Sequence, residues 1–327
     1  MKQDSVPLSR RLHLGRLAYR LWHRPRQWCD LAGTYGWGLS ARASLGERRM
    51  RTAATRLPAL PAGEEKSTAP VYFLTGRRFW QQTLFCAHSF GRESGLAAEF
   101  RFVSDGTMDG EIARRLTRVF PTACVLGHAE LDEKLSAALP PARFPTLHAH
   151  RRRFVLLRKL TDTLAGERGY RLFLDSDMIF WRRPGEMLAR LARTEPFYMA
   201  DLGDDGYTLP RSVLQEKLGV APAPGVNSGV VAVHPEAVDW DLLERACALL
   251  LAEGRDQRLL EQTLWAIVLG AQKARPLPAA DYRLVIDPPA CRETIATGRP
   301  ALLHYAWHAR LLYAASEWQY YLNSSAA

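Results

Sequence analysis

The sequence predicts an α/β fold with a mainly parallel sheet flanked by helices, preceded by an N-terminal helical extension. Two observations predict it. From Val71 onward, short apolar runs alternate with helix patterns in the order β-α-β-α-β-α-β, which is typical of a parallel sheet with crossover helices. Before that point the chain is basic and ends in a Pro-rich segment, "LPALPAGEEKSTAP" at 57–70. In parallel sheets ligands bind beyond the carboxyl ends of the strands, so candidate site residues are expected there.

The N-terminal arm carries nearly all of the net charge. The chain has a formal net charge of +10, and residues 1–60 contain twelve Lys or Arg against three acids. Residues 8–23 place apolar side chains at i, i+3, i+4, i+7 and i+8, which predicts a basic amphipathic helix that ends before Pro25. Such a helix either docks its apolar face on protein or lies on an anionic membrane, and both fates remain open for residues 8–26.

The rest of the arm is predicted to form a loop and a second helix and to end at a domain boundary. Gly33, Gly36 and Gly38 predict the loop, and residues 42–55 predict a second helix. The Pro-rich segment is a polar linker. We therefore expect an arm with its linker over residues 1–66 and the α/β domain over residues 67–327.

The elements of the α/β domain follow from its apolar runs and helix periodicity. The predicted strands are "VYFLT" (71–75), "FRFVSDG" (100–106), "ACVLG" (123–127) and "RLFLD" (171–175). The predicted helices are "RRFWQQTLFCAHSF" (77–90), "DGEIARRLTRVF" (109–120) and one long helix, "HRRRFVLLRKLTDTLAG" (150–166). Arg151, Arg152 and Arg153 are expected to start that long helix mostly in solvent, with one of them able to reach a phosphate.

Composition restricts the compartment and the partners. The five cysteines are odd in number and well separated, which favours a reducing cytosol over a disulfide framework. No apolar run approaches the ~20 residues that span a bilayer. We expect a cytoplasmic protein, with the inner face of the cell membrane as the peripheral alternative. Beyond charge there is no nucleic-acid recognition pattern, and a homodimer remains open.

Two carboxylates stand at the end of the fourth strand, in "YRLFLDSDMIFWRRP" (170–184). Buried charges cost several kcal/mol each unless they are paired, and Asp175 and Asp177 also repel one another. A bound cation resolves both problems, and Mg²⁺ and Mn²⁺ favour oxygen ligands. The alternative is an ordinary turn, in which Asp side chains accept bonds from local backbone N–H groups.

Four motifs favour a metal site over an ordinary turn at Asp175 and Asp177. They are "LDSD" with Asp175 and Asp177, "RKL" with Lys159 sixteen residues before Asp175, "VNSGVVAVHP" at 226–235, and "HYAWHAR" with His304 and Arg310 six apart. Together they resemble the GT-A fold glycosyltransferases, in particular the glycogenin-like (family 8) retaining enzymes, over about residues 71–315.

The resemblance implies a hexosyltransferase. It would move a hexose from a nucleotide-sugar donor, with UDP as the expected nucleotide, to an acceptor hydroxyl with retention. The acceptor could be a glycan, a lipid-linked glycan or a protein. The implied metal is Mn²⁺ or Mg²⁺, held by Asp175, Asp177 and His304. The expected donor contacts are Thr75, Asp105, Lys159, Asp175, Ser228 and Arg310, and the residues expected at the reacting sugar are Asn227, Glu261 and Gln262.

This chain departs from the family pattern at two places. Trp307 stands where the family has a small Gly beside the phosphate, so a different loop geometry is expected, and His308 competes with His304 as a ligand. The acidic-amide pair of the family has two candidates here, Asp256–Gln257 and Glu261–Gln262, of which the second fits the following spacing better.

Two other functions remain open. A haloacid-dehalogenase-type phosphatase also uses D-x-D after an apolar strand, although it normally carries the motif on its first strand. A non-catalytic adaptor would keep the fold and bind a membrane surface through the basic arm. Loss of metal binding would favour the adaptor.

Overall fold

The computed structural model describes residues 24–61, 63, 65–66, 69–204, 206–254 and 257–324. The helix predicted over residues 8–23 lies outside this part. The strands are β1 (Glu65–Lys66), β2 (Val71–Thr75), β3 (Leu96–Ala97), β4 (Phe100–Ser104), β5 (Cys124–Leu126), β6 (Arg171–Leu174), β7 (Met178–Phe180), β8 (Phe197–Ala200), β9 (Val226–Val233), β10 (Arg275–Pro276), β11 (Tyr282–Val285) and β12 (Leu302–Tyr305). All four strands predicted from the apolar runs are therefore confirmed.

The helices lie before the sheet and between its strands. They are α1 (Arg24–Tyr35), α2 (Trp37–Ala54), α3 (Trp80–Ser94), α4 (Gly110–Val119), α5 (His128–Ala138), α6 (Pro145–Arg153), α7 (Arg158–Leu164), α8 (Gly185–Ala192), α9 (Arg211–Leu218), α10 (Trp240–Glu253), α11 (Leu260–Ala271), α12 (Pro288–Ala296), α13 (Arg310–Leu312) and α14 (Trp318–Ser324). No helix in the described part of the chain is long and apolar enough to cross a lipid bilayer.

The main sheet has seven strands in the order β10-β8-β9-β6-β2-β4-β5. Every neighbouring pair is parallel except the two that contain β9, which runs antiparallel to β6 and β8. Successive residues of a strand face opposite sides, so Phe73 enters one apolar core while Tyr72 enters the other. The predicted mainly parallel α/β architecture is confirmed.

A second sheet brings the C-terminal motif to the acid pair. Its three strands are ordered β11-β12-β7, with β12 antiparallel to β7. His304 on β12 pairs with Met178 on β7, the residue directly after Asp177. The pairing therefore fixes an imidazole beside a carboxylate that lies far away in sequence.

The single long helix predicted over residues 150–166 is wrong. The chain forms α6, then a 3₁₀ turn at Val155–Leu157, then α7, with Phe154 extended at φ −122 and ψ 96. Arg151 donates to Asp162 through Nε at 2.5 Å and Nη2 at 2.6 Å. In a continuous helix these residues would be about 16 Å apart along the axis, so this bidentate pair requires the bend. Arg151 is therefore buried at the end of α6, where it bonds Asp162 and Asp132 instead of lying in solvent.

The arm also differs from its predicted loop. Gly33 lies inside α1 and Gly38 inside α2, so the break is confined to Gly36, whose φ of +96 favours glycine. The predicted second helix is confirmed and begins earlier, at Trp37.

Helix α2 packs into the core of the α/β domain. Its buried residues include Leu39, Ala43 and Met50, which join the same apolar core as Tyr313. A Cβ on Gly46 would lie 1.9 Å from the carbonyl oxygen of Ala314, so this glycine permits close backbone approach. The described part of the arm is thus attached to the segment that follows Arg310, and the boundary between residues 66 and 67 stays a prediction.

Candidate metal and donor site

The acid pair is held by backbone bonds from two different sheets. The N–H of Asp175, just beyond β6, donates to the carbonyl of Gly229 on β9 at 2.8 Å. The N–H of Tyr305 donates to the carbonyl of Asp177 at 2.9 Å. Asp177 is buried, whereas the Asp175 side chain keeps 25% of its surface exposed. The turn between β6 and β7 therefore has a fixed backbone and presents one carboxylate to solvent.

Arg310 and His304 lie against the buried Asp177. Arg310 donates to its Oδ2 from Nε at 2.7 Å and approaches it with Nη2 at 2.6 Å, while His304 Nε2 lies 3.2 Å from Oδ1. Burial alone would raise the pKa of the Asp177 carboxyl, but Arg310 and His304 outweigh it and hold that pKa well below its ordinary value. Asp177 is therefore ionised throughout the physiological range.

Asn227 determines which ring nitrogen of His304 carries the proton. The Asn227 Oδ1 accepts the backbone N–H of Gly229 at 3.0 Å and lies 3.2 Å from His304 Nδ1. Because an amide oxygen can only accept, Nδ1 carries the proton and donates to it. In the neutral ring Nε2 then presents its lone pair toward a carboxylate oxygen, an arrangement that a proton or a metal cation must neutralise.

Three ligand atoms converge at this point. One atom each from Asp175, Asp177 and His304 lie within 4.8 Å of one another. Two carboxylates and one imidazole suit Mn²⁺ or Mg²⁺, and Asn227 supplies the outer bond that orients a ligating histidine. The residues present therefore fit the predicted metal group.

Lys159 lies between two acids at the bottom of the site. Its Nζ is 2.6 Å from Asp175 Oδ1 and 3.6 Å from Glu261 Oε1. Burial opposes its charge, but Asp175 and Glu261 outweigh burial and raise the pKa of Lys159. Burial raises the pKa of the Glu261 carboxyl, and Lys159 only partly offsets that. The Ser228 hydroxyl donates to Glu261 Oε2 at 3.0 Å, so this predicted donor contact is joined to the same group.

The predicted Glu261–Gln262 pair is divided between two environments. Glu261 points to Lys159, whereas Gln262 Nε2 donates to Asp201 Oδ2 and to the Gly206 carbonyl, both at 3.0 Å. Adjacent helix residues point about 100° apart, so the helix itself separates them. Of the competing pair, Gln257 is exposed and Asp256 lies outside the described residues.

A cavity of about 110 Å³ opens beside these groups. It is lined by Leu74, Phe79, Gln82, Asp105, Val155, Leu156, Lys159, Asp175, Ser176, Asp177 and Arg310. The predicted Asp105 is thus at the wall, with Oδ1 accepting from the Thr107 N–H at 2.7 Å. Thr75 is fully buried behind the wall, where its hydroxyl bonds Thr83 at 2.6 Å.

Six lining residues were not predicted from sequence. Leu74 lies on β2, and Ser176 lies between the two acids. Phe79 directly precedes α3, Gln82 lies in its first turn, and Val155 and Leu156 come from the 3₁₀ turn. Gln82 Oε1 is buried and has no hydrogen-bond partner among the described residues, so it offers an acceptor to a ligand. A sequence signal existed in "FVLL" (154–157), because four consecutive apolar residues cannot all face one side of a helix.

The loop after β12 joins the site to the arm. His308, the predicted competitor of His304, bonds the Tyr35 hydroxyl of α1 through Nδ1 at 3.0 Å and is not among the three converging ligands. Trp307 is 58% exposed and has a φ of +48, a conformation that costs a non-glycine residue about 1–2 kcal/mol. The ring of Trp307 lies under Arg258, 5.7 Å from the guanidinium carbon.

Comparisons with known proteins give structural likeness at low identity. No family model and no curated protein matches the chain. It is similar to the bifunctional glycosyltransferase WbbM, with 13% identity and a TM-score of 0.45 over 82% of this chain and 53% of that one. It is also similar to mouse xyloside xylosyltransferase 1, with 12% identity and a TM-score of 0.44 over 72% and 96% of the two chains.

A further solved structure is the galactosyltransferase LgtC in complex with donor and acceptor sugar analogues. Identity is 14% and the TM-score 0.42, over 76% of this chain and 99% of that one. The chain spans about half the length of WbbM and nearly all of LgtC. At such identities, residue roles have to come from the geometry of this chain's own site.

Gly229→Ala is predicted to displace His304. The new Cβ would lie 2.5 Å from His304 Cε1 and 2.8 Å from Asn227 Oδ1, so the ring or the amide must shift. We expect the free energy of unfolding to fall by about 1–3 kcal/mol and Mn²⁺ affinity to fall about 10–100-fold. Urea denaturation and titration calorimetry measure both. Gly185→Ala is the control, because its Cβ meets no atom within 4 Å. An unchanged Mn²⁺ affinity in Gly229→Ala would contradict the role assigned to His304.

Proposed function

We propose that this chain is a metal-dependent glycosyltransferase of the GT-A type. It transfers a hexose from a nucleotide-sugar donor, with UDP as the nucleotide, to an acceptor hydroxyl with retention of configuration. The observation that carries the proposal is the convergence of Asp175, Asp177 and His304 with two cations, Lys159 and Arg310, beside one cavity. A nucleotide diphosphate needs both a divalent metal and side-chain cations around its charge.

The metal would be held by Asp175, Asp177 and His304. When bound, Mn²⁺ or Mg²⁺ supplies positive charge that stabilises the leaving diphosphate. Asn227 keeps the proton on His304 Nδ1, which leaves Nε2 available as a ligand. The buried Asp177 stays ionised, so its oxygens remain available as ligands without the removal of a proton.

Arg310 and Lys159 would act on opposite sides of the acids. The Arg310 side chain is partly exposed and lines the cavity, so its guanidinium can exchange the Asp177 carboxylate for phosphate oxygens. Lys159 is buried, and its charge is fixed by Asp175 and Glu261, so it can hold the donor sugar without moving far. The positive charge near the diphosphate is therefore already in place before the sugar–phosphate bond breaks.

The reacting sugar would lie near Asn227, Ser228 and Glu261. Glu261 is buried between Lys159 and the Ser228 hydroxyl, an environment that orients the carboxyl rather than leaving it free as a nucleophile. We therefore favour departure and attack on the same face of the sugar, with the leaving phosphate accepting the acceptor's proton. Gln262 bonds Asp201, in the loop after β8. From this position Gln262 can orient the acceptor.

A donor panel tests the proposal. The full-length protein is incubated with UDP-, GDP-, ADP- and CMP-sugars and Mn²⁺, and nucleotide release is recorded with and without a chelator. We expect UDP release from one UDP-hexose, dependent on metal, and NMR of the product gives the anomeric configuration. Release of phosphate from phosphomonoesters would support the phosphatase alternative. No release from any donor, together with no binding of Mn²⁺ in titration calorimetry, would contradict the transferase and favour the adaptor.

A further inference from the structure

The outward side of α2 combines arginine with exposed apolar side chains. Trp37 is 59% exposed and Leu45 is 47% exposed, and the neighbouring arginines are exposed as well. We call the set Trp37, Arg42, Leu45, Arg48 and Arg49 the outer face of α2. At 100° per residue these five positions fall within an arc of about 140°. The opposite arc of α2 is buried in the domain core, whereas this face lies at the surface of the described part of the chain.

The charge of the outer face is not neutralised locally. Among the described residues, none of Arg42, Arg48 and Arg49 takes part in an ion pair, although exposed arginines elsewhere, such as Arg143 and Arg193, do. The helix contains a single acid, Glu47. An unpaired cluster of like charge on a folded helix creates a local positive potential, which attracts an anionic partner rather than a neutral or cationic one.

The aromatic side chains restrict which anionic partner fits. Trp28 of α1 is 37% exposed and meets Trp37 edge-on, with ring centroids 5.3 Å apart. Its indole N–H donates to Ser44 Oγ on α2 at 3.2 Å, which holds the ring at this surface. Indoles prefer the boundary between water and lipid, and arginine prefers lipid phosphates. A purely charged polymer would match the arginines but leave Trp37 and Leu45 in water.

We propose that the outer face of α2, with Trp28, is a contact surface for an anionic lipid bilayer. The arginines lie at the headgroup phosphates, and Trp28, Trp37 and Leu45 enter the interface. The contact is peripheral and salt-sensitive, because it combines a few exposed charges with a small apolar area. It lies on described, folded helices, and does not depend on residues 8–23.

Vesicle co-sedimentation of the full-length protein tests the proposal. The probes are phosphatidylcholine vesicles with and without phosphatidylglycerol. We expect pelleting with the anionic vesicles only and release at high salt. The triple variant Arg42→Glu, Arg48→Glu and Arg49→Glu should lower partitioning about 100-fold. A control with the same charge change, Arg168→Glu, Arg245→Glu and Arg275→Glu, reverses exposed arginines outside the arm and should retain most binding.

A second readout reports insertion of the indoles. Brominated lipids quench tryptophan fluorescence on contact, and we expect quenching in the wild-type protein and its loss in Trp28→Ala with Trp37→Ala. Circular dichroism verifies that each variant is folded. The proposal is overturned if the wild-type protein stays in the supernatant with anionic vesicles at low salt. It is also overturned if both triple variants behave alike, or if light scattering shows a dimer of the wild-type chain that Arg42→Glu, Arg48→Glu and Arg49→Glu dissociates.

Discussion

Asp177→Asn is expected to lower nucleotide-sugar turnover by about 10³-fold and Mn²⁺ affinity by at least about 10²-fold. The substitution keeps the shape of the side chain but removes the charge that faces Arg310 and His304 at 2.6 and 3.2 Å. Arg310 then loses its partner, and the converging set keeps one carboxylate and one imidazole. Titration calorimetry measures the metal, and nucleotide release measures turnover with the donor found in the panel.

The matched control for this loss is Asp241→Asn. Asp241 is exposed and pairs with Arg143, far along the chain from the site, and an exposed ion pair contributes about 1 kcal/mol or less. We expect both metal affinity and turnover to stay at wild-type values in this control. If Asp177→Asn retains wild-type Mn²⁺ affinity while folded, the assignment of the metal ligands is wrong.

Lys159→Met is expected to reduce the free energy of unfolding by about 3 kcal/mol and to abolish donor turnover. Lys159 is the cation that contacts both Asp175 and Glu261, and it is buried together with Glu261. Without it, the two carboxyls repel each other and Glu261 must take up a proton to remain buried. Urea denaturation followed by circular dichroism measures the loss of stability.

Two further variants distinguish the effect of the buried charges on stability from the effect of a general loss of packing. Lys217→Met removes a lysine that pairs with Glu253 in solvent, and it should change stability by less than about 1 kcal/mol. Glu261→Gln added to Lys159→Met removes one uncompensated acid while keeping an acceptor for Ser228. The double variant should be more stable than Lys159→Met alone, and an equal or lower stability would exclude charge compensation as the cause.

The acid pair and its imidazole were predictable because strand ends fix where side chains meet. Asp175 and Asp177 follow the apolar strand β6, and His304 lies near the end of β12, whose pairing with β7 places it beside Asp177. Lys159 was expected only through the resemblance, because its offset from Asp175 is that of the lysine in the glycogenin-like family. The acids depend on a strand end, which a sequence displays directly, whereas the lysine depends on a motif shared with known enzymes.

Other features depend on contacts that no local pattern displays. Strand β9 is as apolar as its neighbours, so its sequence does not reveal that it runs antiparallel to them. The apolar run at residues 154–157 is compatible with a break in the helix but does not specify the bend, which depends on the Arg151–Asp162 pair. Nothing in the sequence indicated that Gln82 lines the cavity, because it lies in a helix whose residues are nearly all buried.

The hydrogen bond between Tyr35 and His308 links the first helix of the arm to the loop that carries Arg310. Tyr35 is the last residue of α1, and Gly36 forms the corner to α2, which is itself packed against the segment after Arg310. His308 lies two residues before Arg310, the cation that faces Asp177. A rotation of α1 about that corner must either break the Tyr35–His308 bond or carry the loop with it. The Arg310 guanidinium beside Asp177 and the first helix of the arm are therefore mechanically coupled.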